Sequence, residues 1–176
     1  MPTWHERWCD LDYDSAVAMR YHGRRQGFMD FLARLDPALT ILLGGTAFAT
    51  VMVDLKPVAA VASLAAAGAS AINLAFGLSD RARLHEGLFR RWGQLRAELA
   101  LIEQDDEAAL RSLEVKRAAI DAESPWQLEA LSVMCENEEK KVRRSGPIYK
   151  VGWLQRTFAN LFTLPGWHPT EETGAH

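Results

Sequence analysis

PALTILLGGTAFATVMV at residues 37–53, DLK at 54–56 and PVAAVASLAAAGASAINLAFGL at 57–78 form the stretch whose reading decides the fold. Asp54 and Lys56 are its only ionisable residues, whereas the sequence on both sides is dense in charge. A membrane helix satisfies its own backbone hydrogen bonds and needs about 20 mostly apolar residues, with about 17 near the lower limit. Pro37–Val53 supplies 17 and Pro57–Leu78 supplies 22, each with seven Leu, Ile, Val or Phe. At roughly −0.3 to −0.6 kcal/mol per such residue, each span gains about −3 kcal/mol before its small and polar residues subtract. The sum is just sufficient. The competing reading is a hairpin buried in a soluble helical bundle, since the second span is rich in alanine. Against it stands the lack of a polar face, which a surface helix of a soluble protein shows around much of its circumference.

Asp54-Leu55-Lys56-Pro57 fits a tight turn between antiparallel helices, and Pro57 suits the first helical position of the second span. Arg20, Arg24, Arg25 and Arg34 precede the first span, and Arg81, Arg83, Arg90, Arg91 and Arg96 follow the second, while the turn holds only Lys56. The positive-inside rule then places both termini in the cytoplasm and makes the chain a multi-pass protein of the inner membrane. The first apolar run begins behind a charged segment, which reads against a cleavable signal peptide.

Composition narrows the remaining choices. The 176 residues carry a net charge of −3, which predicts no general attraction to nucleic acid. Cys9 and Cys135 make no disulfide framework. The five histidines, at 5, 22, 85, 168 and 176, show no metal-ligand spacing. No glycine-rich phosphate loop, nucleophile elbow or tuned acid pair occurs, so no catalytic residue, metal or cofactor is expected and the chain does not read as an enzyme.

Residues 1–36 read as a cytoplasmic segment, loose at first and then an amphipathic helix starting near Ser15 with Asp12 and Asp14 at its positive end. Arg20, Arg24 and Arg25 form a basic cluster there, either a topology signal or a site for anionic head groups or a nucleotide. Residues 37–78 are the hairpin. Residues 79–123 carry the longest helical pattern: Leu88, Leu95, Ile102 and Ala109 recur every seven residues, as do Trp92, Leu99, Leu113 and Ile120, interrupted by Asp106. Such a period lays a helix against partners in coiled-coil fashion. Gln104–Glu107 is either a break or a solvated turn, and the continued period leans toward one helix. Residues 124–168 hold the C-terminal helices. Ser124, Pro125 and Gln127 predict a capping box for a helix that presents Leu128, Leu131, Met134 or Cys135, and Val142 to a core. The aromatic segment after Gly146-Pro147 either lies in the membrane interface or docks on the long helix. Residues 169–176 read as a disordered tail.

Within the spans, Gly45 and Ala49 are a small-xxx-small pair that lets helices approach closely, and Thr46 and Thr50 add mild polarity. Ser63, Ser70, Asn73 and Gly77 fall near one stripe of the second span. Either these line a water path in an oligomer or Asn73 bonds across a helix interface. Both imply close helix association, and a pore requires several copies.

Arg20-Tyr21-His22-Gly23-Arg24-Arg25 followed by Phe28, two closely spaced spans, the RARLHEGLFRRW opening at 81–92, the CENEEKK segment at 135–141 and the aromatic tail together resemble the SLATT family. These are two-transmembrane effector modules associated with SMODS nucleotidyltransferases and SLOG domains in bacterial conflict systems. The resemblance implies a pore-forming or membrane-perturbing effector in antiviral defence, triggered by a nucleotide signal or a cytosolic partner. The expectation is therefore an all-α membrane protein, a two-helix transmembrane hairpin with a cytoplasmic helical bundle, that oligomerises in the lipid bilayer and permeabilises or depolarises it. The alternatives are a non-conducting scaffold that recruits a partner through its long helix, and a soluble helical-bundle interaction protein.

Overall fold

The computed structural model describes residues 2–52, 56–162 and 167–171, without the side chains at 50, 52, 56 and 72–76. The fold is all-α: α1 (Trp4–Met52), α2 (Lys56–Phe76), α3 (Leu78–Leu99), α4 (Glu107–Glu123), α5 (Glu129–Arg143) and the short α6 (Trp153–Phe158). One antiparallel pair, β1 (Tyr149–Lys150) with β2 (Thr170–Glu171), completes the described residues. The chain forms two compact units, one from 1–24 with 85–176, the other from 25–84.

The helical bundle is the first unit. On α3 the residues Leu88, Trp92, Leu95 and Leu99 are buried at the seven-residue spacing read from sequence, and Leu110, Leu113 and Ile120 of α4 meet them together with Leu11 and Ala18 of α1. A second cluster joins Tyr21 of α1 to Ala130, Leu131 and Cys135 of α5 and to Ala159. The Tyr21 hydroxyl accepts the Leu128 N–H at 2.9 Å and so fixes the approach to α5 on α1.

The expected helix start near Ser15 is corrected: α1 begins at Trp4. Thr3 initiates it, its hydroxyl accepting the Glu6 N–H while the Glu6 carboxylate takes the Thr3 N–H, a reciprocal cap. Ser15 lies inside the helix, fully buried, with its hydroxyl donating to the Leu11 carbonyl at 2.6 Å. No boundary falls at 36/37 either, because Pro37 sits within α1. Proline removes only the one N–H that would reach residue 33.

Residues 79–123 are two helices, not one. Asp105 takes a left-handed φ of 66° and the Asp106 carboxylate accepts the Ala109 N–H at 2.9 Å, capping α4. The heptad survives the break because α3 and α4 turn the same apolar stripes into one core. The capping box at Ser124 is also corrected: Ser124 ends α4, its hydroxyl donating to the Ile120 carbonyl, and α5 starts four to five residues later. Val142, expected in the core, is exposed. In the tail, Thr170 and Glu171 pair with Lys150 and Tyr149, while 172–176 lie outside the described residues.

The second unit holds the apolar stretch. Part of α1 is long and apolar enough, by length and composition, to cross a membrane, and none of that window is buried in the chain. On α2 the apolar run with described side chains is Pro57–Ala71, shorter than a span. Along α1 the partly covered positions Leu39, Thr40, Leu43 and Ala47 recur at helical spacing, as do Ala59, Ala62, Ala66 and Ala69 on α2. Thr40 and Ser70 join the two helices through their hydroxyls, 3.3 Å apart. Alanines facing a neighbour let backbones approach closely. The bulky side chains point elsewhere: Ile41 (74% exposed), Phe48 (68%) and Leu64 (75%). The turn at 53–55 lies outside the described residues. Gly77 separates α2 from α3 at a φ of 54°, the left-handed region that only glycine enters without strain.

Candidate functional site

In the bundle, α1 and α3 bring His22 and His85 together. Their Nδ1 atoms are 2.9 Å apart and both rings are buried, at 1% and 3% exposure. Tyr21 stands edge-on to the pair, its ring centroid 5.4 Å from His22 and 6.3 Å from His85. An Nδ1–Nδ1 hydrogen bond requires one ring to donate and the other to accept, so the two tautomers differ. His22 Nε2 is buried with no hydrogen-bond partner among the described residues. Burial first, and the His85 charge second, push the His22 pKa down to about 4. At neutral pH His22 is therefore uncharged. His85 opens the second chain segment of its unit, and His22 lies two residues before the end of the first.

A network of ions runs beside the pair. Glu139 of α5 is buried and accepts Arg20 Nε at 2.9 Å and Arg143 Nε at 2.8 Å. Arg143 also donates to Asp12 at 2.5 Å, and Asp12 accepts Arg96 Nε at 2.7 Å. Arg24 pairs with Glu138. Burial pushes the Asp12 and Glu139 carboxyls up, but the hydrogen bonds from their arginines outweigh it and hold both below their ordinary values. A recess of about 430 Å³ opens here, lined by Arg20, Arg24, Arg96, Glu138, Glu139 and Phe89 among others. At the other end of α1, Arg7 forks onto Glu114 with two bonds of 2.8 Å and reaches Glu107.

These contacts revise the basic cluster read from sequence. Arg20 pairs with Glu139 and Arg24 with Glu138, both on α5. Arg25 is buried and belongs to the other unit. The carboxylates stand 114 and 119 residues downstream, so local sequence gave no sign of them.

No family model, no curated protein and no solved structure matches the chain.

The candidates within the apolar stretch are distributed as follows. A Cβ added at Gly45 would meet nothing within 4 Å, and Ala49 is exposed, so the small-xxx-small pair faces away from α2. Thr46 is exposed and donates to the Leu42 carbonyl at 2.9 Å. Ser63 is exposed, and Ser70 is tied to Thr40. Gly77 is the helix-breaking joint, not part of a span-long stripe. The side chains of Thr50 and Asn73 lie outside the described residues.

Among the described residues no group of three His, Cys, Asp or Glu could hold a metal ion. Cys135 is fully buried and its thiol is pushed up to about 11, chiefly by burial, which suits packing and not nucleophilic attack. Sequence reasoning missed the histidine pair because its members are 63 residues apart and each looks solitary.

Proposed function

We propose that the chain is an oligomeric effector of the inner membrane. Its α1–α2 hairpin crosses the bilayer, both termini and the bundle are cytoplasmic, and copies associate through the hairpins to permeabilise or depolarise the membrane. One observation carries the membrane part. No residue in the apolar window of α1 is buried by its own chain, and Ile41, Leu42 and Phe48 of α1 and Val61 and Leu64 of α2 are all more than two-thirds exposed. A hairpin in the core of a soluble bundle would cover these side chains, and a soluble monomer rarely leaves so large an apolar patch in water. Lipid satisfies them.

Two features support association and effector action. Gly44, Gly45 and Gly68 have open space where a Cβ would stand, so a helix from another copy can approach closely there. The resemblance to the SLATT family supplies the effector setting, with a nucleotide signal or a cytosolic partner as the trigger. Induced expression is expected to collapse the membrane potential, measured with a voltage-sensitive dye, and Gly45→Leu or Asn73→Leu to weaken the effect. An unchanged potential with verified membrane insertion overturns the permeabilising role.

A further inference from the structure

While Arg20, Arg24 and Arg96 spend their charge on carboxylates, a different set of cations does not. Lys141 of α5, Lys150 of β1 and Arg156 of α6 are all exposed and line one recess of about 540 Å³. None of the three makes an ion pair among the described residues. Their neighbours show the contrast. Lys140 pairs with Glu136 and lies 4.4 Å from the Tyr149 ring centroid, and Arg143 is held by Asp12 and Glu139. The one carboxylate lining the recess, Glu138, already pairs with Arg24.

The recess is built and held. Asn137, buried on α5, donates Nδ2–H to the Tyr149 carbonyl at 2.7 Å and accepts the Tyr149 N–H at 2.9 Å. This clamps β1 to α5 and sets Lys150 beside Lys141. Met134, Ile148 and Val151 add apolar side chains to the lining of the recess. At its edge, α6 presents Trp153 (75% exposed) and Leu154 to solvent, followed by exposed Leu161 and Phe162.

We propose that this recess binds the phosphate head group of an anionic lipid, with Trp153, Leu154, Leu161 and Phe162 entering the interfacial layer beside it. Three uncompensated cations attract a phosphodiester, and aromatic and aliphatic side chains next to them distinguish a bilayer surface from free phosphate. The inference is independent of the hairpin, because it concerns only residues of α5, β1, α6 and the turn after α6.

The test is native mass spectrometry of the full chain in non-ionic detergent, titrated with phosphatidylglycerol or with phosphatidylcholine of the same acyl chains. Phosphatidylglycerol is expected to be retained in preference to phosphatidylcholine. Lys141→Gln, Lys150→Gln and Arg156→Gln combined is expected to weaken that retention by roughly a hundredfold, from about fivefold per cation at an anionic surface. Arg90→Gln, an exposed cation elsewhere on the bundle, leaves it unchanged. Circular dichroism confirms that the triple variant keeps its helices. Equal retention of the two lipids, insensitivity to the triple variant, or an equal loss in Arg90→Gln overturns the proposal. Displacement of the lipid by an equimolar amount of inorganic phosphate overturns the lipid assignment as well.

Discussion

The Nδ1 atoms of His22 and His85 meet at 2.9 Å inside the bundle, a contact that needs one Nδ1 to carry a proton and the other to accept it. The His22 pKa lies near 4 in the fold against an ordinary 6.5, so the unfolded chain binds more protons throughout that interval. The associated stability is fully present above about pH 6.5 and is lost as pH falls toward 4. From pH 7 to pH 5 the bundle is expected to lose about 2 kcal/mol. Thermal melts in detergent between pH 5 and 7.5 check this, and His22→Gln is expected to flatten the profile. An unchanged profile in that variant contradicts the assignment.

Glu139 serves two arginines, Arg20 and Arg143, from a buried position. Removing one partner of a buried ionic group strands the others, at a cost of about 3–5 kcal/mol. Because Arg20 is about a third exposed and water relieves it, Glu139→Gln is expected to cost about 2 kcal/mol, read by chemical denaturation of the full chain. A loss below about 0.5 kcal/mol contradicts the network's role.

Asp106 caps α4 through the Ala109 N–H. Asp106→Ala is expected to cost about 1 kcal/mol and to lower the melting temperature by a few degrees. Were 79–123 one continuous helix, alanine would stabilise it instead, so the sign of the change separates the two arrangements.

Cys135 is buried with its thiol near 11, whereas Cys9 is only half covered on α1. Maleimide at pH 7.5 is expected to label Cys9 and to spare Cys135 until denaturant is added, with mass spectrometry locating the label. Labelling of both at equal rates contradicts the packing of α5.

Much of this architecture was legible in sequence. The all-α class and the heptad at Leu88, Trp92, Leu95 and Leu99 follow from periodicity, which large apolar residues report faithfully. The buried face of α1 did not follow, because its stripe runs through Ser15, Ala18 and His22 as well as Leu11, and small or polar residues carry little hydropathy signal. The start at Trp4 was hidden behind the same composition. The capping box at Ser124 failed because Tyr21, more than a hundred residues upstream, takes the Leu128 N–H and resets where α5 begins. The same distance concealed the partners of Arg20 and Arg24. Tertiary contacts decided each of these positions.

The central claim is that residues 37–78 reside in lipid. Alkaline carbonate extraction of membranes containing the full chain tests it most directly. The account predicts that the protein stays in the pellet, since Ile41, Phe48 and Leu64 stand largely exposed from the described residues. Release into the supernatant would contradict it.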